Sequence, residues 1–290
     1  MRMGTVVTVM NMKGGVGKTT VTMHLGGLIG RYELNGKRRK VLLIDYDPQF
    51  NLSQAFIPAK AYFALEKARK TCLAILVEDD AALDPFHIQV PGNEQPPSIR
   101  DLAYNVYSHN DGASLDVVPS TLDMMYVALG QIGEQGKPIE ERFSKLVAEC
   151  RGAYDLVFID CHPAGSLFTK TALQNSDHVI IPVMPQRYAV RGIGLMFQFI
   201  AAKSPGATGP NAHILFNAVP RTGVAPEETA IRNDAKFKQF CLTNTLKEFK
   251  AFSEPQDGDG FVWYSKKPWS TRAFQNLHDV AEEFLTRIGA

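Results

Sequence analysis

The chain has only four cysteines among 290 residues, and no two of them form a C-x-x-C pair. Cys72, Cys150, Cys161 and Cys241 lie far apart, which argues against a zinc knuckle or a redox dithiol and for reduced thiols in a cytoplasmic protein. No apolar run approaches the ~20 residues that a bilayer-spanning helix needs. The N-terminal residues lack the apolar stretch and cleavage site of a secretory signal. A cytoplasmic location without a membrane partner is the expectation. Charge is nearly balanced, with 31 Lys and Arg against 30 Asp and Glu and a formal net charge of +1. Any affinity for nucleic acid must therefore come from a local patch. There is no internal repeat and no low-complexity tail. With 45% hydrophobic and 21% charged residues, the composition is that of an ordinary globular protein. The length suits one α/β domain over residues 1–290.

Short apolar runs bounded by turn signals read as strands: Thr5–Met10, Val41–Ile44, Leu115–Val118, Leu156–Ile159, His178–Val183 and His213–Phe216. Helical patterns lie between several of them, at Thr19–Tyr32, Ile139–Cys150, Ser166–Asn175 and Gly192–Ala202. Near-continuous apolar strands alternating with helices predict a doubly wound, mostly parallel sheet covered on both faces. Asp84–Gly112, with four prolines, reads as a long excursion. Ser204–Pro210 reads as a surface loop and Ser253–Gly260 as an acidic, glycine-containing one. Residues 225–290 read as a C-terminal helical region. Its last helix, Thr271–Ile288, carries one apolar stripe of Phe274, Leu277, Val280, Ala281, Phe284, Leu285 and Ile288.

The chemistry starts after the first strand, at Lys13-Gly14-Gly15-Val16-Gly17-Lys18-Thr19-Thr20. Glycines let successive backbone N–H groups converge on an anion, and the following helix points its positive end at the same place. Lys18 can reach outer phosphates and the Thr19 hydroxyl can hold Mg²⁺. The generic pattern G-x-x-x-x-G-K-[ST] fails at its first position, which is Met12. Lys13 is a second cation that must either face solvent or meet another negative charge. Two further strands end in carboxylates. Val41–Ile44 delivers Asp45, placed to orient or activate water beside a triphosphate. Leu156–Ile159 delivers Asp160, placed on the metal side of a nucleotide site, through a water on Mg²⁺. Ile214-Leu215-Phe216 ends in Asn217, whose amide suits an adenine edge and equally suits a turn.

These segments resemble landmarks of the ParA/MinD ATPases. Lys13–Thr20 is similar to the family's deviant Walker A box, and Asp45–Asn51 to its D-x-D-P-Q-x-N segment. Leu115–Asp123 resembles its strand and turn "LDLIPS-x-LDL", Tyr154–Asp160 its Walker B strand, and Ile181–Gln186 with Gly192 and Leu195 its I-P-V-x-P segment and following helix. The landmarks run in family order to about residue 220, and the small ParA/Soj type is the nearest branch. The resemblance implies a homodimer that sandwiches two ATP molecules, with Lys13 crossing to the partner's nucleotide. It implies that Asp45 positions water, that Gly14, Gly15, Val16, Gly17, Lys18, Thr19 and Thr20 bind phosphate, and that Thr19 and Asp160 serve Mg²⁺. It further implies non-specific DNA binding by the ATP dimer, nucleoid association, and slow hydrolysis stimulated by a ParB-like or other partner while plasmid, chromosome or other cargo is positioned.

The chain departs from the family in places. Cys161-His162-Pro163 stands where a Pro-Pro pair is usual, and His162 reads as structural more readily than catalytic. An arginine-rich segment before the last helix is replaced by Lys247, Lys250, Lys266, Lys267 and Arg272, interleaved with Trp263, Tyr264 and Trp269. That mixture fits contact with a phosphate backbone, and its aromatics fit core or subunit packing as well. Lys37-Arg38-Arg39-Lys40 reads as a solvated turn. Two other readings stand beside the partition ATPase. One is a membrane-surface ATPase of the MinD kind, which would need a basic amphipathic last helix. The other is a nucleotide-gated scaffold without turnover.

Overall fold

Alternating apolar residues on the central strands place one set on each face of a seven-stranded sheet. In this computed structural model the described residues are all but 1–2, 78–94, 130–135, 163–166, 204–208 and 254. The strands are β1 (Thr5–Val9), β2 (Lys40–Tyr46), β3 (Tyr104–Ser108), β4 (Ser114–Val118), β5 (Leu156–Cys161), β6 (His178–Val183) and β7 (Asn211–Phe216). Their order is β3-β4-β2-β5-β1-β6-β7. Every pairing is parallel except β3 with β4. Val7, Leu43 and Phe158 face one core; Val6, Leu42 and Ile159 face the other. Each large apolar side chain buried this way contributes about 1.5–3 kcal/mol.

The helical segment after the phosphate loop runs as Lys18–Val21, a π-helical turn Thr22–Gly26, and Gly27–Arg31. It packs on the face of the sheet that carries Val7, Leu43 and Phe158, and glycine is required there. A Cβ on Gly26 would stand 2.5 Å from Leu43 Cδ2, and one on Gly27 would stand 2.7 Å from Trp263 Cη2. The last helix, Ser270–Ile288, covers the same face through Leu277, Val280, Ala281, Phe284 and Leu285. It ends at Gly289, in the left-handed region at φ 65°, where the Ala290 N–H returns to the Leu285 carbonyl at 3.1 Å. That is the six-to-one bond of a glycine-terminated helix.

The structure differs from the sequence expectations in three places. Of the excursion Asp84–Gly112, residues 84–94 lie outside the described residues. The remainder holds a short helix, Ile99–Leu102, and the antiparallel edge strand β3 with an irregularity between Asn105 and Tyr107. Only part of residues 225–290 is helical: Pro226–Asn233, short turns at Lys238–Phe240 and Lys250–Phe252, and the last helix. Arg39 is buried, its guanidinium bonded to the carbonyls of Leu34, Lys37 and Ala290 at 2.9–3.0 Å. The turn before β2 therefore ties down the end of the last helix.

At the start of β6 and β7, His178 Nδ1 and His213 Nε2 lie 3.0 Å apart. His213 is buried, edge-on to Phe284. Burial pushes its pKa down to about 4, and His178 and Arg287 push the same way. An unfolded histidine takes up its proton near 6.5, so this group's contribution is present above that pH and is lost as pH falls toward 4. We predict a loss on the order of 2 kcal/mol from this residue between pH 7 and pH 5. His213→Asn should show a correspondingly shallower fall than wild type in urea unfolding at the two pH values.

Candidate nucleotide site

The carboxyl ends of β1, β2 and β5 converge, because parallel pairing sets Val9 beside Asp160 and Asp45 beside Asp160. The phosphate loop leaves β1 at this point. Asn11 braces it, donating its Nδ2 to Pro182 O at 2.8 Å and accepting the Lys13 N–H at 3.0 Å. Gly15 and Gly17 adopt φ +72° and +85°. The Asn217 amide donates to Val16 O at 2.9 Å and fills the space where a Cβ on Gly17 would go. Asn217, which suits an adenine edge and a turn alike, braces the loop here through its Nδ2.

Lys18 is 8% exposed, and its ammonium lies 3.5 Å from the Lys13 carbonyl. Burial lowers its pKa, against the opposing pull of Asp160 and Asp47. Lys13 points outward, and its Nζ donates to Gln186 Oε1 at 3.0 Å. Asp160 Oδ1 accepts the Thr22 hydroxyl at 3.0 Å. Asp160 Oδ2 is buried and, among the described residues, has no hydrogen-bond partner. Burial pushes the Asp160 carboxyl up to about 7, and the Thr19 hydroxyl is the main restraint on that rise. A buried carboxylate oxygen with an open acceptor, next to a half-buried threonine hydroxyl, fits a hydrated divalent cation.

Asp45 is not presented as the strand pattern suggested. It is fully buried, and its Oδ2 accepts both the Ser53 N–H at 2.8 Å and the Ser53 hydroxyl at 2.6 Å. Burial, and then Asp160, hold its pKa well above the usual carboxylate range. Asp47, two residues on, is a carboxylate that the strand pattern does not single out. It is 8% exposed and accepts the Gln49 N–H at 3.0 Å, and its charge is felt by both Lys18 and Asp160. The available signal was the alternation of a strand end: Asp45 and Asp47 share a face, and the second lies beyond the strand.

A cleft of about 780 Å³ runs from Gly15, Gly17 and Thr20 past Asn217 to Phe249 and Trp269. Lys247, Lys250 and Lys267 line it too, so three residues expected on a nucleic-acid surface stand beside the phosphate loop. Arg272 lies in an adjoining hollow of about 470 Å³ that shares Arg221, Lys247 and Trp269 with the cleft. The Arg221 and Arg272 guanidiniums lie 5.8 and 4.6 Å from the Trp269 ring centroid. Lys266 lines neither cavity. His162 follows β5 and is half-buried. Gly17→Ala forces both a positive φ and a clash with Asn217 and should cost about 1–3 kcal/mol. Gly14→Ala, with open space at its Cβ, should leave the thermal midpoint nearly unchanged.

Comparison with known proteins agrees with this geometry. A family model described as an AAA domain (AAA_31) matches residues 4–204. An uncharacterised protein of Mycobacterium tuberculosis is 32% identical over 290 residues, 98% of this chain and 79% of that protein. The sporulation initiation inhibitor protein Soj of Bacillus subtilis is 30% identical over 200 residues, 68% of this chain and 65% of that one. The chromosome-partitioning ATPase Soj of Treponema pallidum is 28% identical over 290 residues, 99% of each. Among solved structures, a plasmid partition protein from Borrelia burgdorferi bound to AMPPNP has the same fold, with TM-score 0.67 and 21% identity over 98% of this chain and 99% of that one. So does pNOB8 ParA bound to non-specific DNA, with TM-score 0.64 and 20% identity over 99% of each. The family match spans the phosphate loop and both strand-end carboxylates, and the chain belongs to the ParA-type P-loop ATPases.

Proposed function

We propose that this protein is an ATP-dependent partition ATPase: a homodimer in its ATP state, bound to DNA without sequence preference, that positions plasmid, chromosome or other cargo. The observation that carries this is the cleft that holds Gly15 and Gly17 together with Arg221, Lys247, Lys250 and Lys267, on a phosphate loop whose helix meets a buried, partly unsatisfied carboxylate through Thr22. In this reading ATP lies with its phosphates on the backbone of Lys13–Thr20 and its base toward the aromatic end. Lys18 neutralises the outer phosphates from a site where burial strengthens its field. Thr19 and Asp160 would hold Mg²⁺, which when bound supplies charge neutralisation on the phosphates.

Asp47 is the better candidate to orient the attacking water, because Asp45 is sealed and committed to Ser53. Asp45 then serves as the strut that holds Ser53, whose hydroxyl also accepts the Ser120 N–H at 2.9 Å. Lys13, exposed at the loop's rim, is free to meet the nucleotide of a second copy. A nucleoid-associated ATP state and stimulation by a ParB-like partner complete the cycle. One observation argues against a lipid surface: the apolar stripe of the last helix is already packed on the sheet. The DNA-contact candidates that remain outside the cleft are Lys266 and Arg272.

We predict that Asp47→Ala binds ATP but turns it over about 10²- to 10⁴-fold more slowly than wild type. Lys13→Ala should likewise bind ATP but lose the turnover that depends on dimer formation. Steady-state phosphate release beside light scattering checks both, and wild-type turnover in Asp47→Ala would return the water-orienting role to Asp45. DNA binding should need ATP and weaken with salt. Lys266→Ala with Arg272→Ala should lower the slope of log affinity against log salt by about 1 for each DNA phosphate that is no longer neutralised. Gel shifts at stepped salt concentrations measure it, and a scaffold without turnover would show the shift but no phosphate release.

A further inference from the structure

Part of the lining of the cleft is a single 3₁₀ turn, Lys250–Phe252, followed by Ser253. This turn has space on both sides. Phe252 and Ser253 line the 780 Å³ cleft, and with Thr20, Met23 and Gln54 they also line a second cavity of about 280 Å³. It is a partition between two cavities, with Ala251 and Phe252 packed in the core beneath it. Its internal bonds, Phe252 N–H to Phe249 O at 3.1 Å and Ser253 N–H to Lys250 O at 3.2 Å, shape the turn without attaching it. Among the described residues, one hydrogen bond joins it to the helix that follows the phosphate loop: His24 Nε2 donates to the Phe252 carbonyl at 3.1 Å.

The rest of the surroundings serve that bond. His24 is fully buried in the π-helical turn Thr22–Gly26, and such wide turns recur at functional sites. Its ring meets Phe252, Phe261 and Trp263 edge-on at centroid distances of 5.0, 5.9 and 6.1 Å. Gly27 lets Trp263 approach closely enough to close this cage. Burial lowers the His24 pKa to about 4, so at neutral pH the ring is uncharged, with its one N–H on the Nε2 that faces Phe252. The phosphate loop and the partition are thus tied by one neutral donor carried on the loop's own helix.

We propose that His24 is a positioning residue for nucleotide binding: through the Phe252 carbonyl it holds the Lys250–Ser253 partition against the base and ribose, separately from the loop's grip on the phosphates. The inference rests on the reading of the cleft as an ATP site. Phosphates at the glycine end touch the loop whether or not the partition is in place. The base and sugar of a purine nucleoside triphosphate, at the aromatic end, lose their wall when it swings away.

The test is calorimetric titration of the full chain with ATP and with inorganic tripolyphosphate, both with Mg²⁺. Wild type should bind ATP more tightly than tripolyphosphate. His24→Ala, and His24→Phe, which fills the volume without a donor, should each weaken ATP by about tenfold or more while tripolyphosphate stays within about twofold. His24→Gln, which restores an amide donor, should recover ATP binding to within about threefold. The phenylalanine variant carries the test if the alanine variant fails to fold. Equal losses for both ligands, no loss for either, or a glutamine variant as weak as phenylalanine would overturn the proposal. A wild type that does not prefer ATP to tripolyphosphate would overturn the base-site reading of the cleft together with it, whereas a preference kept by every variant overturns the His24 role alone.

Discussion

Two carboxyl groups, Asp45 and Asp160, stand side by side on adjacent parallel strands, both buried. This like-charge pair is the constraint on which the rest of the site depends. Burying even one ionised carboxylate is costly, and a second beside it adds repulsion, so both protons are held more tightly than usual. The fold contains the strain with Ser53 on one carboxyl, the Thr22 hydroxyl on the other, and the Lys18 ammonium close by. A core of apolar residues would be more stable here. Asp160, with its open oxygen, makes physical sense as a seat for positive charge, and locally suboptimal chemistry of this kind marks functional sites.

Around that seat the chain assembles a cleft from stretches far apart in sequence: the loop at 13–20, the end of β7 at Asn217, the irregular segment at 247–253 and the approach to the last helix at 267–269. The rigid part is the parallel sheet, which fixes where the loop leaves β1. The variable part is loop and turn, where binding residues are usually carried. Between the two sit struts such as Asn217, Asn11 and His24, whose hydrogen bonds run from one segment to another and not along one. Trp269 belongs to the same logic. A bulky residue at φ +72° is unusual backbone, and here it opens the last helix while placing an indole within reach of two guanidiniums.

The six strands with apolar runs were legible because buried parallel strands need near-continuous apolar sequence, and the loop was legible because phosphate geometry demands glycine and lysine at fixed spacing. Strand β3 was not legible. Tyr104–Ser108 is half-exposed at a sheet edge, so nothing forces its side chains to be apolar. Arg39 looked like one of four solvated cations; its burial depends on three carbonyls, one of them at the other end of the chain.

Local sequence by itself determined that this chain carries a phosphate-loop pattern in a parallel α/β sheet, because those requirements act over a few consecutive residues. Tertiary structure alone decided which of Asp45 and Asp47 is less enclosed and that three C-terminal lysines line the same cleft as the phosphate loop. It alone decided that Asn217 and His24 act as braces. Those properties depend on which distant segment lies across from a side chain, and burial and hydrogen bonding are set by that neighbour, not by the residue or its position in the chain.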